Sequence, residues 1–400
     1  MRIALMLRSL DEMGGVGIYS RFLIQHLITL DTKNTYLLFY KNPANIGKYR
    51  HHQNVEEYFL PFSNKFLWDQ IAVPYAAAKR KADVILNPKF SLPLFTSRKC
   101  IVVQHGADWF LPEYSKFYKK TDVLYNKIFI PLFCRKADFV ISVSEFATKD
   151  FIKYVKVPPR KIRTIYFGPA EFFSRVSNRR ELERVKKKYN LPDKYIFTLS
   201  RYGFGGGNRK NIRSIFEAYK IYSEQSPNPA ALVIGGKNVA QYIKDFNLEE
   251  ERYLQNIHFT GWIEQEDLPA MYSMSELYLY PSNLETFPIP LTEAMACGTP
   301  IITSDVNGLK EIAGDAALFI NNKDPQEIAS AVQQILNNFD LRNKLSQQGL
   351  QRSKLFNWKS CAEEFLSILN QLTDQRAIRS IELANEKKHN SRIRIPANPN

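Results

Sequence analysis

Short apolar runs recur along the chain, separated by stretches in which apolar residues return every three or four positions. In the first half the runs cover residues 3–7, 36–40, 55–60, 84–86, 100–103 and 139–143. Apolar runs of this length, bounded by polar and turn residues, predict buried strands. After the first of them, Phe22, Leu23, Leu27 and Leu30 recur at helical spacing and predict a helix over 18–30. Residues 66–81 also read as helical, with Pro74 as a kink or break. A second series opens after a polar, basic stretch, 174–188. Its strands are predicted at 195–199, 231–234, 257–259, 277–280, 301–303 and 317–320, with helices at 211–224, 268–274 and 325–336. Strands alternating with helices imply parallel sheets covered on both faces. The double series therefore predicts an α/β chain of two such units, residues 1–172 and 173–356. A helix over 359–372 follows, and from 374 to 400 the composition turns polar and basic, as in a poorly ordered tail.

One stretch carries the densest chemistry. The run ending at Tyr280 gives way to a loop with Glu285. A helix can start at Pro290, present Leu291, Ala294, Met295 and Cys297 as its apolar face, and stop at Gly298. Glu285 and Glu293 thus straddle a strand-to-helix turn at the carboxyl end of a strand, the edge where open α/β sheets bind ligands. Read without context, Glu285 is a solvated loop residue and Glu293 a charge complementing a helix N-terminus.

Taken together, Glu285, Phe287, Pro290, Glu293, Ala294, Met295, Ala296, Gly298 and Pro300 resemble the signature of the retaining glycosyltransferases of family 4. The resemblance implies the GT-B fold, two Rossmann-like doubly wound parallel-sheet domains facing across a cleft. In this fold the helix after Phe356-Asn357-Trp358 crosses back onto the first domain. It also implies that Glu285 lies beside the donor sugar and Glu293 holds the ribose, with Phe287 and Ile289 in the donor site. Pro288 departs from the pattern, which has Gly there, so one backbone N–H that could face the sugar is missing.

Four further motifs fit this frame. Arg201, a glycine-rich loop, and Arg209-Lys210 just before a helix can converge on a diphosphate. The resemblance assigns the clamp to Arg201 and Lys210; the Gly205-Gly206-Gly207 insert leaves Arg209 a rival to Lys210. Gly14 and Gly15 follow the first strand and open the first helix, where backbone can approach an anion. By resemblance they touch the donor diphosphate. His105, at the end of a strand, matches the family's His near the transferred sugar, although Asp108 comes three residues later instead of one. Gly235, Gly236 and Ile263 lie at strand-end turns that frame the base in the family. The implied reaction is transfer of a hexose from a UDP- or GDP-linked sugar to a glycan or lipid-linked acceptor. It requires neither a metal nor another cofactor, and no Asp-x-Asp occurs.

Composition narrows the setting. With 44% apolar and 24% charged residues the chain reads as a globular protein, and no run approaches a membrane-spanning length. Four scattered cysteines and the absence of an Asn-x-Ser/Thr site predict a cytoplasmic location. The net charge of +15 is uneven: residues 1–170 hold 26 Lys and Arg against 13 Asp and Glu, or +13, and the remainder +2. Such a basic half suits an anionic partner: a lipid-phosphate acceptor, an acidic membrane surface or an acidic glycan before nucleic acid. Residues 59–81 and 124–135 mix aromatic, aliphatic and basic side chains, as peripheral membrane segments do and as buried helices with snorkelling cations do. A glycosidase, a sugar-nucleotide epimerase and a non-catalytic binder of anionic surfaces are the rival readings.

Overall fold

The first series of apolar runs pairs into one sheet. Its strands are β1 (Arg2–Met6), β2 (Thr35–Tyr40), β3 (Val55–Phe59), β4 (Val84–Asn87), β5 (Lys99–Gln104), β6 (Phe139–Ser142) and β7 (Ile162–Thr164). They lie in the order β3-β2-β1-β4-β5-β6-β7, all parallel. The second series forms β8 (Tyr195–Leu199), β9 (Ala231–Gly235), β10 (Ile257–Gly261), β11 (Leu277–Tyr280), β12 (Ile301–Ser304) and β13 (Leu318–Ile320). Their order is β10-β9-β8-β11-β12-β13, again all parallel. The computed structural model describes residues 1–12, 14–203, 209–249 and 251–372. The predicted tail, 374–400, and Gly205–Gly207 lie outside these described residues.

The central strands are buried along their whole length, β4, β6 and β11 without exception. Helices on both faces explain why they read as continuous apolar runs rather than alternating ones. In each sheet the strand order reverses once, beside β1 and beside β8. Such a reversal leaves a crevice at the carboxyl ends of the strands, so the fold offers two crevices.

The helix at 358–372 returns to the first sheet. Trp358 is buried against Tyr19 and Phe22 of the helix Gly15–Leu30, with ring centroids 5.5 Å apart in both cases. Cys361, Phe365 and Leu369 share one apolar core with Leu23 and Leu27. Two further contacts tie the halves. The Glu311 carboxylate accepts the N–H groups of Glu145 (2.7 Å) and Phe146 (2.8 Å), which open the helix Glu145–Asp150, and the Tyr166 hydroxyl (2.8 Å). Phe167 stacks on Phe287 at 3.9 Å.

Several elements differ from the sequence expectation. The stretch over 66–81 does not break at Pro74. It runs through a π-helical turn, Trp68–Ala72, and Pro74 falls in the first turn of the next segment, Val73–Lys79, where no N–H is required. The polar stretch before the second series contains a helix, Arg179–Lys188, capped by Asn178. Its Arg184 and Lys188 each reach the buried Asp267 carboxylate at 2.6 Å, so charge docks it alongside a narrow apolar edge, Leu182 and Val185. β7 went unanticipated because only Ile162 of its three residues is buried. Among the described residues no helix is long and apolar enough to cross a membrane.

Candidate active site

The loop after β11 is held between two prolines and a helix. Pro288 caps the helix Ile289–Ala296, Pro290 sits in its first turn, and Gly298 ends it at φ +70°. Glu285 in this loop is 7% exposed. Its Oε1 accepts from Lys210 Nζ at 2.7 Å. Lys210 also bonds the Tyr280 hydroxyl and lies 4.5 Å from that ring's centre. Burial opposes ionisation of Glu285, but the Lys210 and Arg209 cations beside it outweigh burial and hold the carboxyl below its usual range. Burial likewise pulls the Lys210 ammonium down, with Glu285 opposing. The pair is an ion pair sheltered from water, where charges act on a ligand with little screening.

Arg209 turns the other way. Its Nη1 donates to the Tyr118 hydroxyl at 2.9 Å, and that hydroxyl donates to Asp108 Oδ2 at 2.7 Å. Tyr118 and Asp108 follow β5, so this polar chain spans the cleft between the sheets. Burial pushes the Asp108 carboxyl up, opposed by Arg209 and Tyr118. Arg209 and Lys210 therefore both reach the site, each with its own partner. Arg201 is not brought into this cluster. It is exposed and makes no ion pair with a described residue, and its carbonyl accepts from the Tyr242 hydroxyl at 2.8 Å.

Glu293 has a different environment. It is 4% exposed and accepts a hydrogen bond from the Tyr272 hydroxyl at 3.2 Å. With no cation beside it among the described residues, burial pushes its pKa up to about 7, the Tyr272 bond opposing. The two carboxylates of one motif thus hold opposite electrostatic states. Glu285 is charged and paired, and Glu293 is poised between protonated and ionised.

The first sheet supplies the facing wall. Gly14 adopts φ +105° ahead of the helix Gly15–Leu30, and a Cβ added to Gly15 would lie 3.6 Å from Ile289 Cδ1. The glycine turn therefore faces the start of the helix that carries Glu293. His105 Nε2 donates to the Pro88 carbonyl at 2.8 Å, with the Tyr19 ring at 4.8 Å. Burial pushes the His105 pKa down to about 4, which leaves the ring neutral. Next to it, a Cβ on Gly106 would come within 2.8 Å of Thr286 Oγ1, so the β5 end and the Glu285 loop meet.

Other predicted site residues are placed in packing. A Cβ on Gly235 would meet Ile263 Cδ1 at 2.4 Å, and one on Gly236, at φ +133°, would meet the Ser200 carbonyl oxygen at 2.0 Å. These glycines let strand ends close on one another, with the Ile263 side chain beneath. The Phe287 ring lies among Phe167 and Phe356 at the junction of the halves, and Ile289 is buried beside Gly15. Tyr118, Tyr272 and Tyr280 were missed. Tyr280 and Tyr272 read as core positions, and no local spacing links Tyr118 to Arg209. Among the described residues no group of three or more His, Cys, Asp or Glu is placed to hold a metal ion.

Residues 178–352 match the family described as "Glycosyl transferases group 1", and residues 13–168 match "Glycosyltransferase Family 4". Together these matches take in both crevices. The chain belongs to the family 4 glycosyltransferases. The O-antigen chain mannosyltransferase B of Escherichia coli is 27% identical to it over 287 residues, 70% of this glycosyltransferase and 72% of that protein. The serotype-specific mannosyltransferase WbdA of E. coli is 26% identical over 235 residues, 57% of this chain but 28% of WbdA's own length. Among solved structures, sucrose-phosphate synthase from Thermosynechococcus elongatus matches with a TM-score of 0.72 at 22% identity, covering 94% of this chain and 99% of that one. HepE of Anabaena in complex with UDP-glucose matches with a TM-score of 0.70 at 17% identity, covering 93% and 100%. At these identities the structures speak for the fold, and the fold is GT-B. The relatives favour neither an epimerase nor a non-catalytic binding protein.

Proposed function

We propose that this glycosyltransferase moves a hexose from a UDP- or GDP-linked sugar to a hydroxyl of a glycan or lipid-linked acceptor in polysaccharide assembly, with the anomeric configuration retained. The observation that carries the reading is the sheltered Lys210–Glu285 pair with Arg209 beside it, at the crevice of the second sheet. In the reaction the bond between sugar C1 and the diphosphate oxygen breaks and a bond from C1 to the acceptor oxygen forms. The acceptor proton passes to the departing phosphate on the same face. Negative charge grows on the diphosphate, and fixed cations aimed at growing charge contribute most to rate in such sites. Lys210, Arg209 and the Gly14–Gly15 amides supply that field, with Arg201, exposed after β8, as a further cation for the diphosphate. Glu285 and the neutral His105 orient the sugar, and Glu293 takes the ribose hydroxyls. The scheme calls on no metal.

The setting proposed is the cytoplasmic face of an anionic membrane. Ile71 and Tyr75 are exposed, and Lys79, Arg80 and Lys81 end the same segment exposed. Each cation near an anionic surface contributes about 1 kcal/mol. The mannosyltransferase relatives support a place in glycan assembly. A thermal-shift series with UDP, GDP, ADP and their hexose conjugates tests the donor. At least one diphosphate and its sugar should stabilise the protein, and a product anomer matching the donor's, read by NMR, supports retention. Absence of a shift from every nucleotide, or inversion, defeats the proposal.

A further inference from the structure

Tyr118 also belongs to a second feature. It lines an open pocket of about 790 Å³ in the first half, together with Lys116, Lys119, Lys120, Leu124 and Lys127. All four lysines are exposed, and none forms an ion pair with a described residue. Four unpaired ammonium groups around one concavity repel one another and are relieved by a bound anion. The pocket does not stop at charge. Leu124, Ile128 and Leu132 stand at four-residue spacing on the helix Lys120–Lys136 and are 63%, 51% and 38% exposed. This spacing puts them on one face. Phe66 and Leu67 of the neighbouring segment are exposed too, and Phe66 meets Phe129 edge-on at 5.8 Å. An uncovered apolar stripe therefore leads out of a basic pocket.

We infer that this pocket binds the phosphate ester of an amphiphilic acceptor, with its hydrocarbon chain lying along Leu124, Ile128 and Leu132. The inference rests on the transferase reading, because it is the position of Tyr118 that makes the pocket an acceptor subsite. Tyr118 is one of the residues lining the pocket, and its hydroxyl joins Arg209 and Asp108 in the candidate active site. An acceptor anchored by its phosphate in this pocket can present a hydroxyl toward that cluster. Lysine is suited to the task, a mobile point charge whose methylene stem can also flank the chain. A lipid-borne phosphate is favoured over a free one because inorganic phosphate leaves the stripe uncovered.

Calorimetric titration of the full chain with octyl phosphate, octanol and inorganic phosphate tests this. Octyl phosphate should bind at least about tenfold more tightly than either fragment, since it alone uses both charge and stripe. The triple variant Lys116→Ser, Lys119→Ser, Lys120→Ser should lose that advantage over octanol. The double variant Leu124→Ser, Ile128→Ser should reduce octyl phosphate to the level of inorganic phosphate. Nucleoside-diphosphate affinity should stay within about twofold in both variants, far less than loss of one charged contact would cause. Octyl phosphate bound equally by the triple variant, or inorganic phosphate bound as tightly as octyl phosphate by the unaltered protein, overturns the inference. Loss of nucleotide binding in the triple variant overturns it as well, by making the pocket part of the donor site. Failure of the unaltered protein to bind any nucleotide counts instead against the transferase reading.

Discussion

The two sheets share one strand order around their reversal points, yet the crevices they form are chemically opposite. At the second sheet the crevice holds Lys210, Arg209, Glu285 and Glu293. At the first it holds a glycine turn, a neutral His105 and an Asp108 raised by burial. The rest of each half differs in the reverse sense. Among the described residues nine Lys and Arg of the second half form ion pairs, Arg184 and Lys188 on Asp267, Lys220 on Glu251 and Arg342 on Glu276 among them, against four in the first half. The first half keeps Lys116, Lys119, Lys120 and Lys127 without ion-pair partners among the described residues, around one pocket. A net charge of +13 against +2 is thus concentrated, in part, at a place where a ligand can use it. Topology supplies the two crevices, and side chains at strand ends decide what each one does.

The largest test of this contrast removes charge from the second crevice. Lys210→Ala and Arg209→Ala should each lower turnover by about 10²–10³, as loss of one electrostatic donor does. Arg201→Ala should cost less, because Arg201 stands outside the cluster. Steady-state rates at saturating donor check the order, and an Arg201→Ala enzyme slower than the other two would reverse it.

Next in size is Glu293. Replacing it by Gln should weaken nucleoside-diphosphate binding by roughly 1.5–3 kcal/mol, the worth of a charged hydrogen bond. Its pKa of about 7 adds a pH signature. In the proposed role, ribose hydroxyls donate to the ionised form, so affinity should fall as pH drops below about 7 and should be flat through that range in Glu293→Gln. The stability effect has the opposite sign. A raised carboxyl binds its proton more tightly in the folded state, so its contribution is present below the ordinary carboxylate range and is lost as pH rises to about 7. Calorimetry and thermal unfolding at several pH values separate the two.

A smaller effect is expected where the halves join. Glu311→Ala removes the acceptor of two backbone N–H groups and the Tyr166 hydroxyl, which should cost about 1–3 kcal/mol of stability. Chemical denaturation measures this loss, and nucleotide affinity at the second crevice should change little. The smallest effect belongs to the exposed basic segment. Changing Lys79, Arg80 and Lys81 together to Glu should reduce retention on anionic vesicles by about 1 kcal/mol or more per residue at low salt and by little at high salt. Co-sedimentation reads it, and retention on neutral vesicles as strong as on anionic ones would remove charge from the account.

Much of the architecture was legible along the chain because strands buried on both faces leave uninterrupted apolar runs, whatever surrounds them. The stretch from Glu285 to Gly298 was legible for a related reason: its turn, helix start and stop are local events, written in Pro290, Gly298 and the spacing of the apolar residues. Elements lacking that signature escaped, such as β7 with a single buried residue and the helix Arg179–Lys188 docked by charge on Asp267. Adjacent residues gave no hint of their division of labour. Arg209 and Lys210 are consecutive and carry the same charge, yet Lys210 pairs with Glu285 and Arg209 crosses the cleft to Tyr118. Phe287, two residues from Glu285, stacks on Phe167 from the other half. Partners 75, 91 and 120 positions away decide these roles. The chain by itself therefore determined which segments become strands and helices and which turn carries the carboxylates. The protonation poise of Glu293, the pairing of Lys210 and the place of Tyr118 between two sites were decided by tertiary structure, because burial and electrostatic partnership arise only when distant segments close on one another.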